Sequence, residues 1–148
     1  MAIITPFRGI RYNPKKIADL SAVIAPPYDV IDKQGQDVYY NLNPYNIIRL
    51  EYGRDSDKDH PGNNRYTRAS QTFAKWLDQE ILILENQPVF YLYQQSFHYQ
   101  GTRYNRTGII AALKVEPYHT GSILPHEQTL SLPKADRLEL LRSCRANF

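Results

Sequence analysis

The strongest hydrophobic pattern in the chain predicts a long amphipathic helix between about Asn64 and Leu82. Apolar side chains recur there at every third or fourth position, so they share one helical face. The residues of this face are Tyr66, Ala69, Phe73, Trp76, Leu77 and Ile81. We therefore expect this aromatic stripe to form part of a core and not a cofactor site.

A second pattern, an alternation with a period of two, predicts a long β-hairpin. In Pro88–Phe97 the side chains of Phe90 and Leu92 alternate with tyrosines, as in a strand with two different faces. Thr102–Val115 contains a second apolar run, and Gln100-Gly101 between the two segments is typical of a hairpin turn. The chain is therefore expected to fold back on itself here as two antiparallel strands.

Shorter patterns predict the remaining elements. Three short apolar runs are typical of strands, and two of them are followed by proline: Ala2–Ile4, Ala22–Ala25 and Asn46–Leu50. Helices are predicted for three further segments: Pro14–Leu20, Asp32–Leu42 and Lys134–Arg145. Together these elements predict an α+β fold, in which a largely antiparallel sheet with a long hairpin packs against a few helices. At 148 residues the chain is expected to form a single domain over residues 1–148.

Composition and charge exclude several classes of protein. A hydrophobic fraction of 42% is that of a globular chain, and a single cysteine, Cys144, excludes a disulfide framework. That cysteine is expected to be a small buried residue. The net charge of +3 lies entirely in residues 86–148, too local a bias for the basic stripe of a typical nucleic-acid-binding protein. No apolar run is long enough for a signal peptide or a bilayer span, which favours a cytoplasmic protein without membrane partners.

Several catalytic motifs are missing from the chain. The glycine patterns of dinucleotide-binding and phosphate-binding loops do not occur. His126-Glu127 begins like a zinc-protease motif, but the second histidine, needed four residues after the first, is replaced by Leu130. No metal-ligand set is therefore predicted. The acidic run Asp55–Asp59 is expected to be a solvated loop, with metal binding as the alternative.

Two segments near the N-terminus are candidates for binding chemistry. Arg8 and Arg11 flank a glycine, and arginine forks suit phosphate or carboxylate, although two surface arginines at a strand end also explain the pattern. Farther along, Pro26-Pro27 stiffens the backbone and presents Tyr28 and Asp29 on a rigid support, and a cis peptide bond between the prolines would lock the turn. The alternative is an ordinary turn in which Asp29 caps the next segment.

The densest group of reactive side chains lies at the start of the last predicted helix: His126, Glu127, Lys134, Asp136 and Arg137. The N-terminus of a helix attracts anions, so a lysine in the first turn is unfavourable unless it faces an anion such as phosphate. Glu127 and His126 have the chemistry of an acid, a base or a metal partner. The alternative is a capped helix with ordinary charged faces, in which Asp136 offsets the helix dipole and Arg137 faces solvent.

Four motifs, in this order, resemble those of one protein family. They are Pro6-Phe7-x-Gly9-x-Arg11-Tyr12, Ala25-Pro26-Pro27-Tyr28-Asp29-Val30-Ile31, Asn43-Pro44-x-Asn46-Ile47-Ile48, and Pro125-His126-Glu127-x-Thr129 followed by Lys134-x-Asp136-Arg137. Over essentially its whole length the chain is similar to the start of the bacterial and archaeal family called domain of unknown function 1015. Members of this family are much longer, so the resemblance implies an N-terminal piece of a longer protein. One departure is Gln79-Glu80, where a glycine is expected in the turn after the long helix, which leaves the end of that helix open.

The resemblance implies a link to small-molecule kinases that act on free serine. In such an enzyme Lys134 and Arg137 would hold phosphate oxygens. Glu127 or Asp136 would take the hydroxyl proton or hold a magnesium ion, and His126 would orient one of these carboxylates.

We therefore expect a site for a nucleotide or a phosphorylated small molecule, with ATP or ADP and magnesium as cofactors. This site would bring together Arg8 and Arg11, the Tyr28-Asp29 turn and the His126–Arg137 segment. The alternative is a regulatory or nucleic-acid-binding module without catalysis, in which some of the twelve tyrosines stack on unpaired bases. The charge pattern makes nucleic acid the less favoured partner, and the sequence leaves the substrate and the oligomeric state open.

Overall fold

The computed structural model describes residues 1–117, 119, 121–124 and 131–148, with only the backbone at Ser131 and Leu132. The chain forms two compact units. The first comprises Met1–Arg11 and Leu84–Gln128, and the second comprises Tyr12–Ile83 and Thr129–Phe148. In the part of the chain that is described, no helix has the length and apolar character needed to cross a bilayer.

The elements confirm the predicted α+β class. Within the described ranges the strands are β1 Ile4–Thr5, β2 Ile10–Tyr12, β3 Leu82–Leu84, β4 Tyr91–Tyr99, β5 Thr102–Ile110 and β6 Ala112–Leu113. The α-helices there are α1 Lys33–Leu42, α2 Ile48–Glu51, α3 Arg65–Asp78 and α4 Ser131–Cys144. Strand β1 pairs with β6 and β4 pairs with β5, both antiparallel, and β2 pairs with β3. Among the described residues the strands therefore form separate two-stranded sheets and not one broad sheet.

The predicted hairpin is the main feature of the first unit. Its register runs from the Tyr91–Ile110 pair to the Tyr99–Thr102 pair. The two turn residues, Gln100 and Gly101, both have positive φ, as a tight two-residue hairpin turn requires. The alternation of side chains and the turn residues together account for this element.

Gly9 is required by a close approach within the first unit. Its backbone N–H donates to the Tyr91 hydroxyl at 2.7 Å, and a Cβ at this position would collide with that hydroxyl. The Tyr91 ring in turn lies 5.1 Å from the ring of Phe7, measured between centroids. In the motif Pro6-Phe7-x-Gly9, Phe7 and Gly9 therefore have a structural role, because they pack this segment against Tyr91 of β4.

Helix α3 forms the centre of the second unit and confirms the strongest prediction from the sequence. It begins after Asn64, whose side chain accepts hydrogen bonds from the backbone N–H groups of Tyr66 and Thr67. Thr67 completes a capping box by accepting from the Asn64 backbone. Through Trp76 the buried face of α3 joins a core cluster of buried apolar residues, which includes Ile17, Val23, Leu50, Trp76, Ile81 and Leu82. The three-and-four spacing of apolar residues identified the buried face of α3 correctly, because side chains at that spacing pack against the core on one side of the helix.

The end of α3 explains the unexpected Gln79-Glu80 pair. The helix ends at Asp78, and Glu80 has a φ of 54°, in the left-handed region. Its N–H donates to the Leu77 carbonyl at 3.0 Å, and the Ile81 N–H donates to the Trp76 carbonyl at 2.8 Å. This pair of bonds is the Schellman arrangement, which glycine normally closes.

Replacing Glu80 with glycine should raise the free energy of unfolding by about 1 kcal/mol, because glycine adopts the left-handed conformation without a Cβ penalty. Urea denaturation of the two proteins measures the difference. Glu80→Ala is the matched control, since it also removes the exposed ion pair to Lys16 but keeps the Cβ. A glycine variant no more stable than the alanine variant would contradict the explanation.

Three short predictions are wrong. Ala22–Ala25 and Asn46–Leu50 are not strands, and Pro14–Leu20 forms a single hydrogen-bonded turn instead of a helix. The short apolar runs misled because burial alone does not distinguish a strand from a helix or a buried coil. Ile48 and Leu50 are indeed buried, but on the short helix α2.

A buried asparagine takes the place of the strand pairing that was predicted. The Asn46 side chain is fully buried, and its Nδ2 donates to the carbonyls of Ala22 at 3.0 Å and Ile24 at 2.9 Å. Its Oδ1 accepts from the Ile48 N–H at 3.0 Å, and the Ile47 N–H donates to the Val23 carbonyl at 2.7 Å. These bonds satisfy the backbone of residues 22–24 without a neighbouring strand.

The last predicted helix is confirmed, but it begins three residues earlier than expected. Helix α4 starts at Ser131, so Pro133 lies in its first turn, where a missing N–H removes no helical hydrogen bond. The helix packs on α3 through the buried residues Ala69, Leu140 and Cys144. Cys144 is therefore the small buried residue that was expected.

Candidate functional site

The start of α4 carries a network of charged groups centred on Asp136, whose side chain is 15% exposed. Its Oδ1 accepts from the Tyr66 hydroxyl at 2.8 Å and from Nη2 of Arg65. Its Oδ2 accepts from Nε and Nη2 of Arg137, at 3.0 and 2.6 Å. The two oxygens thus accept four hydrogen bonds, the full capacity of a carboxylate.

Electrostatics keep this carboxylate ionised. Burial of Asp136 favours its neutral form, but hydrogen bonds from Arg137 and Tyr66 and the positive charges of Arg137 and Arg65 outweigh burial and lower its pKa. Burial raises the pKa of the neighbouring Glu51, and the charge of Arg137 partly opposes that rise. The start of α4 therefore holds a fixed negative charge between two guanidinium groups.

The turn that follows Pro26-Pro27, here called the Tyr28 corner, contacts this network through the Tyr28 ring. Tyr28–Val30 forms one 3-10 turn after Pro27, and the Arg137 guanidinium carbon lies 3.8 Å from the centroid of the Tyr28 ring. At this distance a guanidinium group stacks on an aromatic face. Two residues that the sequence analysis placed in one site, Tyr28 and Arg137, are therefore in contact.

Two details of this corner differ from the alternatives considered above. Across the described residues every peptide bond is trans, so the Pro26-Pro27 turn forms without the cis bond that was considered for it. The helix cap is supplied by Asp32, whose Oδ1 accepts from the Gly35 N–H at 2.7 Å, and not by Asp29. Asp29 is exposed and has no side-chain partner among the residues described.

Lys134 lies on the same side of α4 as Arg137. The two residues are three positions apart, and residues at that spacing are neighbours on a helix surface. Lys134 is exposed and makes no ion pair within the described part of the chain. Arg137 Nη2 also donates to the Glu51 carbonyl at 2.7 Å, so three of the five N–H groups of Arg137 are used. The remaining two, on Nη1, have no partner in the described ranges.

Arg11, His126 and Glu127 are not among the described residues of the second unit. Arg11 belongs to the first unit, where its Nε donates to Glu85 Oε1 at 2.5 Å and its side chain is 47% exposed. Arg8 donates through Nε to the Glu85 carbonyl at 2.6 Å. His126 and Glu127 lie outside the described residues. Tyr28, Asp29, Lys134, Asp136 and Arg137 are therefore the predicted site residues that the second unit contributes.

The sequence analysis did not identify Arg65 or the role of Tyr66. Arg65 is the first residue of α3, and Tyr66 was assigned to the apolar stripe although its hydroxyl reaches Asp136. The capping signal of Asn64 could have placed both side chains on the first turn of α3, but not opposite α4. Their partner is 70 or 71 positions away in the chain.

Comparison with known proteins adds a family and nothing more specific. No curated protein and no solved structure matches the chain. The model of one family, described as proteins of unknown function and designated DUF1015, matches residues 4–148. The match extends over almost the full length, and the chain therefore belongs to the DUF1015 family.

Proposed function

We propose that this protein binds the phosphate of a nucleotide or phosphorylated small molecule. It would do so as part of a cytoplasmic enzyme that transfers a phosphoryl group to a small hydroxyl metabolite such as free serine. The observation that carries the proposal is the stacking of Arg137 on Tyr28 while Asp136 holds the same guanidinium in place. Phosphoryl transfer depends mainly on such positioned positive charge.

The arrangement supports phosphate binding because Arg137 is held rigidly while part of it stays available. The Tyr28 ring, the Asp136 carboxylate and the Glu51 carbonyl fix the guanidinium plane on three sides. Its Nη1 group then offers two N–H donors in a fixed direction, and Lys134 adds a second cation on the same helix face. A guanidinium held in this way needs no reorganisation to bind a phosphate.

Asp136 is better suited to positioning than to proton transfer. A carboxylate that already accepts four hydrogen bonds and has a lowered pKa has no free lone pair for a substrate proton or a magnesium ion. We therefore assign the proposed base to Glu127. Magnesium would be held by the exposed Asp29 together with the oxygens of the bound phosphates, because Mg²⁺ takes one or two carboxylates alongside substrate phosphates.

Isothermal titration of the intact chain with ADP and with ATP, each with magnesium, tests the proposal. We expect saturable binding, and a loss of about tenfold in affinity for Lys134→Gln, which removes one charged donor from an exposed position. Lys75→Gln removes the same charge from an exposed position on α3 and should change nothing. No heat at millimolar nucleotide, or equal effects of the two substitutions, would overturn the proposal.

A second candidate function is favoured by the β4–β5 hairpin. Its exposed tyrosines include Tyr93, Tyr99 and Tyr104, and the rings of Phe97 and Tyr104 stack at 5.7 Å. Exposed aromatic rings of this kind can stack on unpaired bases. Repeating the titration with a single-stranded oligonucleotide at two salt concentrations separates the candidates. Nucleic-acid affinity falls steeply with salt, whereas affinity at a fixed small-ligand site changes little.

A further inference from the structure

The second unit contains a cavity of about 240 Å³ whose wall carries four arginine side chains. They come from separate places: Arg49 from α2, Arg54 from the loop after it, and Arg65 and Arg68 from α3. Tyr40 of α1 and Thr72 of α3 complete the polar lining, and the wall includes no carboxylate. A pocket with this composition favours an anion.

The guanidinium groups are held in place from outside the cavity. Arg68 binds Asp59 through two bonds of 2.6 and 3.0 Å, and Arg54 binds Asp37 at 2.5 Å, although neither aspartate lines the cavity. The Tyr40 ring lies under two of the cations, 4.4 Å from Arg49 and 4.1 Å from Arg54. The supporting carboxylates and the aromatic ring thus orient the arginines, so that guanidinium groups and no carboxylate line the cavity.

Arg49 differs from the other three arginines. In the described ranges it has no carboxylate partner, and its one hydrogen bond runs from Nη2 to the Tyr40 carbonyl at 2.6 Å. Its Nε is buried and donates to nothing. A buried N–H of a charged group without an acceptor is costly and uncommon in proteins. Among the described residues, Arg49 is therefore the arginine of the cavity wall whose charge no carboxylate pairs with.

We propose that this cavity is a separate binding site for a phosphate group, either inorganic phosphate or the head of a small phosphomonoester. Guanidinium forks match phosphate oxygens in pairs, and the Thr72 hydroxyl adds another polar contact. At about 240 Å³ the cavity is large enough to hold a phosphate group. The site stands independently of phosphoryl transfer. Arg65 links it to the α4 network, because this side chain lines the cavity and also binds Asp136.

Titration of the intact chain with inorganic phosphate and with O-phosphoserine, at constant ionic strength, tests this site. We expect saturable binding of at least one of the two, with the stronger identifying the source of the phosphate. The Nε–H resonance of Arg49 should shift on binding. Acetate at the same concentration should produce no such shift, because a carboxylate engages fewer of the four arginines.

Arg49→Gln should weaken phosphate binding at least tenfold, since it removes the arginine that lacks a carboxylate partner. Arg142→Gln removes the same charge from a side chain that is 65% exposed on α4, and should leave the affinity unchanged. If Arg49→Gln fails to fold, Arg54→Gln, at a side chain 46% exposed, serves as the second variant and should weaken binding about fivefold.

Two results would overturn the site: equal affinities for the Arg49→Gln and Arg142→Gln proteins, or no shift of the Arg49 resonance at millimolar phosphate. Lys134→Gln should leave that shift intact, because Lys134 does not line the cavity. A failure at this site is therefore distinguishable from a failure of nucleotide binding at α4.

Discussion

Replacing Asp136 with asparagine should lower the free energy of unfolding by about 3 kcal/mol. The carboxylate lies between Arg65 and Arg137, and its removal takes away the ion-pair partner that these two partly buried guanidinium groups share, leaving Arg65 with a longer pair to Asp55 at 3.4 Å. All four partners of the carboxylate are hydrogen-bond donors, so the NH₂ group of asparagine would face donors of Arg65 and Tyr66 or of Arg137. Urea denaturation at pH 7 measures the loss.

The pH dependence of this loss tests its electrostatic origin. Because the pKa of Asp136 is lowered in the folded protein, the unfolded chain binds the proton more readily. The stabilisation by Asp136 is therefore complete above the ordinary value of 3.8 and disappears as the pH falls through the lower folded pKa. The difference between the wild-type protein and Asp136→Asn should accordingly be smaller at pH 3 than at pH 7.

Asp29→Asn is the matched control for this experiment, because Asp29 is exposed and has no side-chain partner in the part of the chain that is described. Its effect on stability should stay below about 0.5 kcal/mol at both pH values. A loss in Asp136→Asn that is the same at pH 3 and pH 7 would show that packing, not charge, explains it.

Asn46→Ala should also cost about 3 kcal/mol, for a different reason. The side chain is fully buried and makes three hydrogen bonds to backbone groups, which alanine would leave without partners. Each buried group that loses its partner costs about 1–3 kcal/mol, reduced where the backbone relaxes or water enters. The carbonyls of Ala22 and Ile24, just before the Tyr28 corner, would lose their donor.

Thermal and urea denaturation of Asn46→Ala measure this effect. Asn43→Ala is a suitable comparison because the half-buried Asn43 side chain accepts one bond, from the Tyr45 N–H at 2.8 Å, and should cost about 1 kcal/mol. If the two variants lose equal stability, the three-bond account of Asn46 is wrong.

Elements that depend on local pattern were predictable from the sequence. Helix α3 follows from its apolar spacing and from the Asn64 cap, and the hairpin follows from alternation around Gln100-Gly101. The 22–25 and 46–50 segments were assigned wrongly because Asn46 supplies, from a distance, the hydrogen bonds that a strand would otherwise need. No local pattern shows such a side-chain substitute.

The same distinction applies to the candidate sites. Tyr28 and Arg137 each lie in a dense local motif, so the sequence identified both, and the structure brings them into contact. The arginine-lined cavity was not predicted because its cations come from two helices, α2 and α3, and from the loop between them. Arginines spaced in this way resemble ordinary surface charges until the helices assemble.

The single buried thiol of Cys144 makes the docking of α4 measurable without any added label. Burial raises the pKa of this thiol and the α3–α4 packing covers it, so a thiol reagent reacts slowly while the helix is docked. The reaction rate therefore reports how often α4 separates from α3 in the native protein. Because the same helix carries Lys134, Asp136 and Arg137, a ligand bound by these residues should slow the modification in proportion to its occupancy.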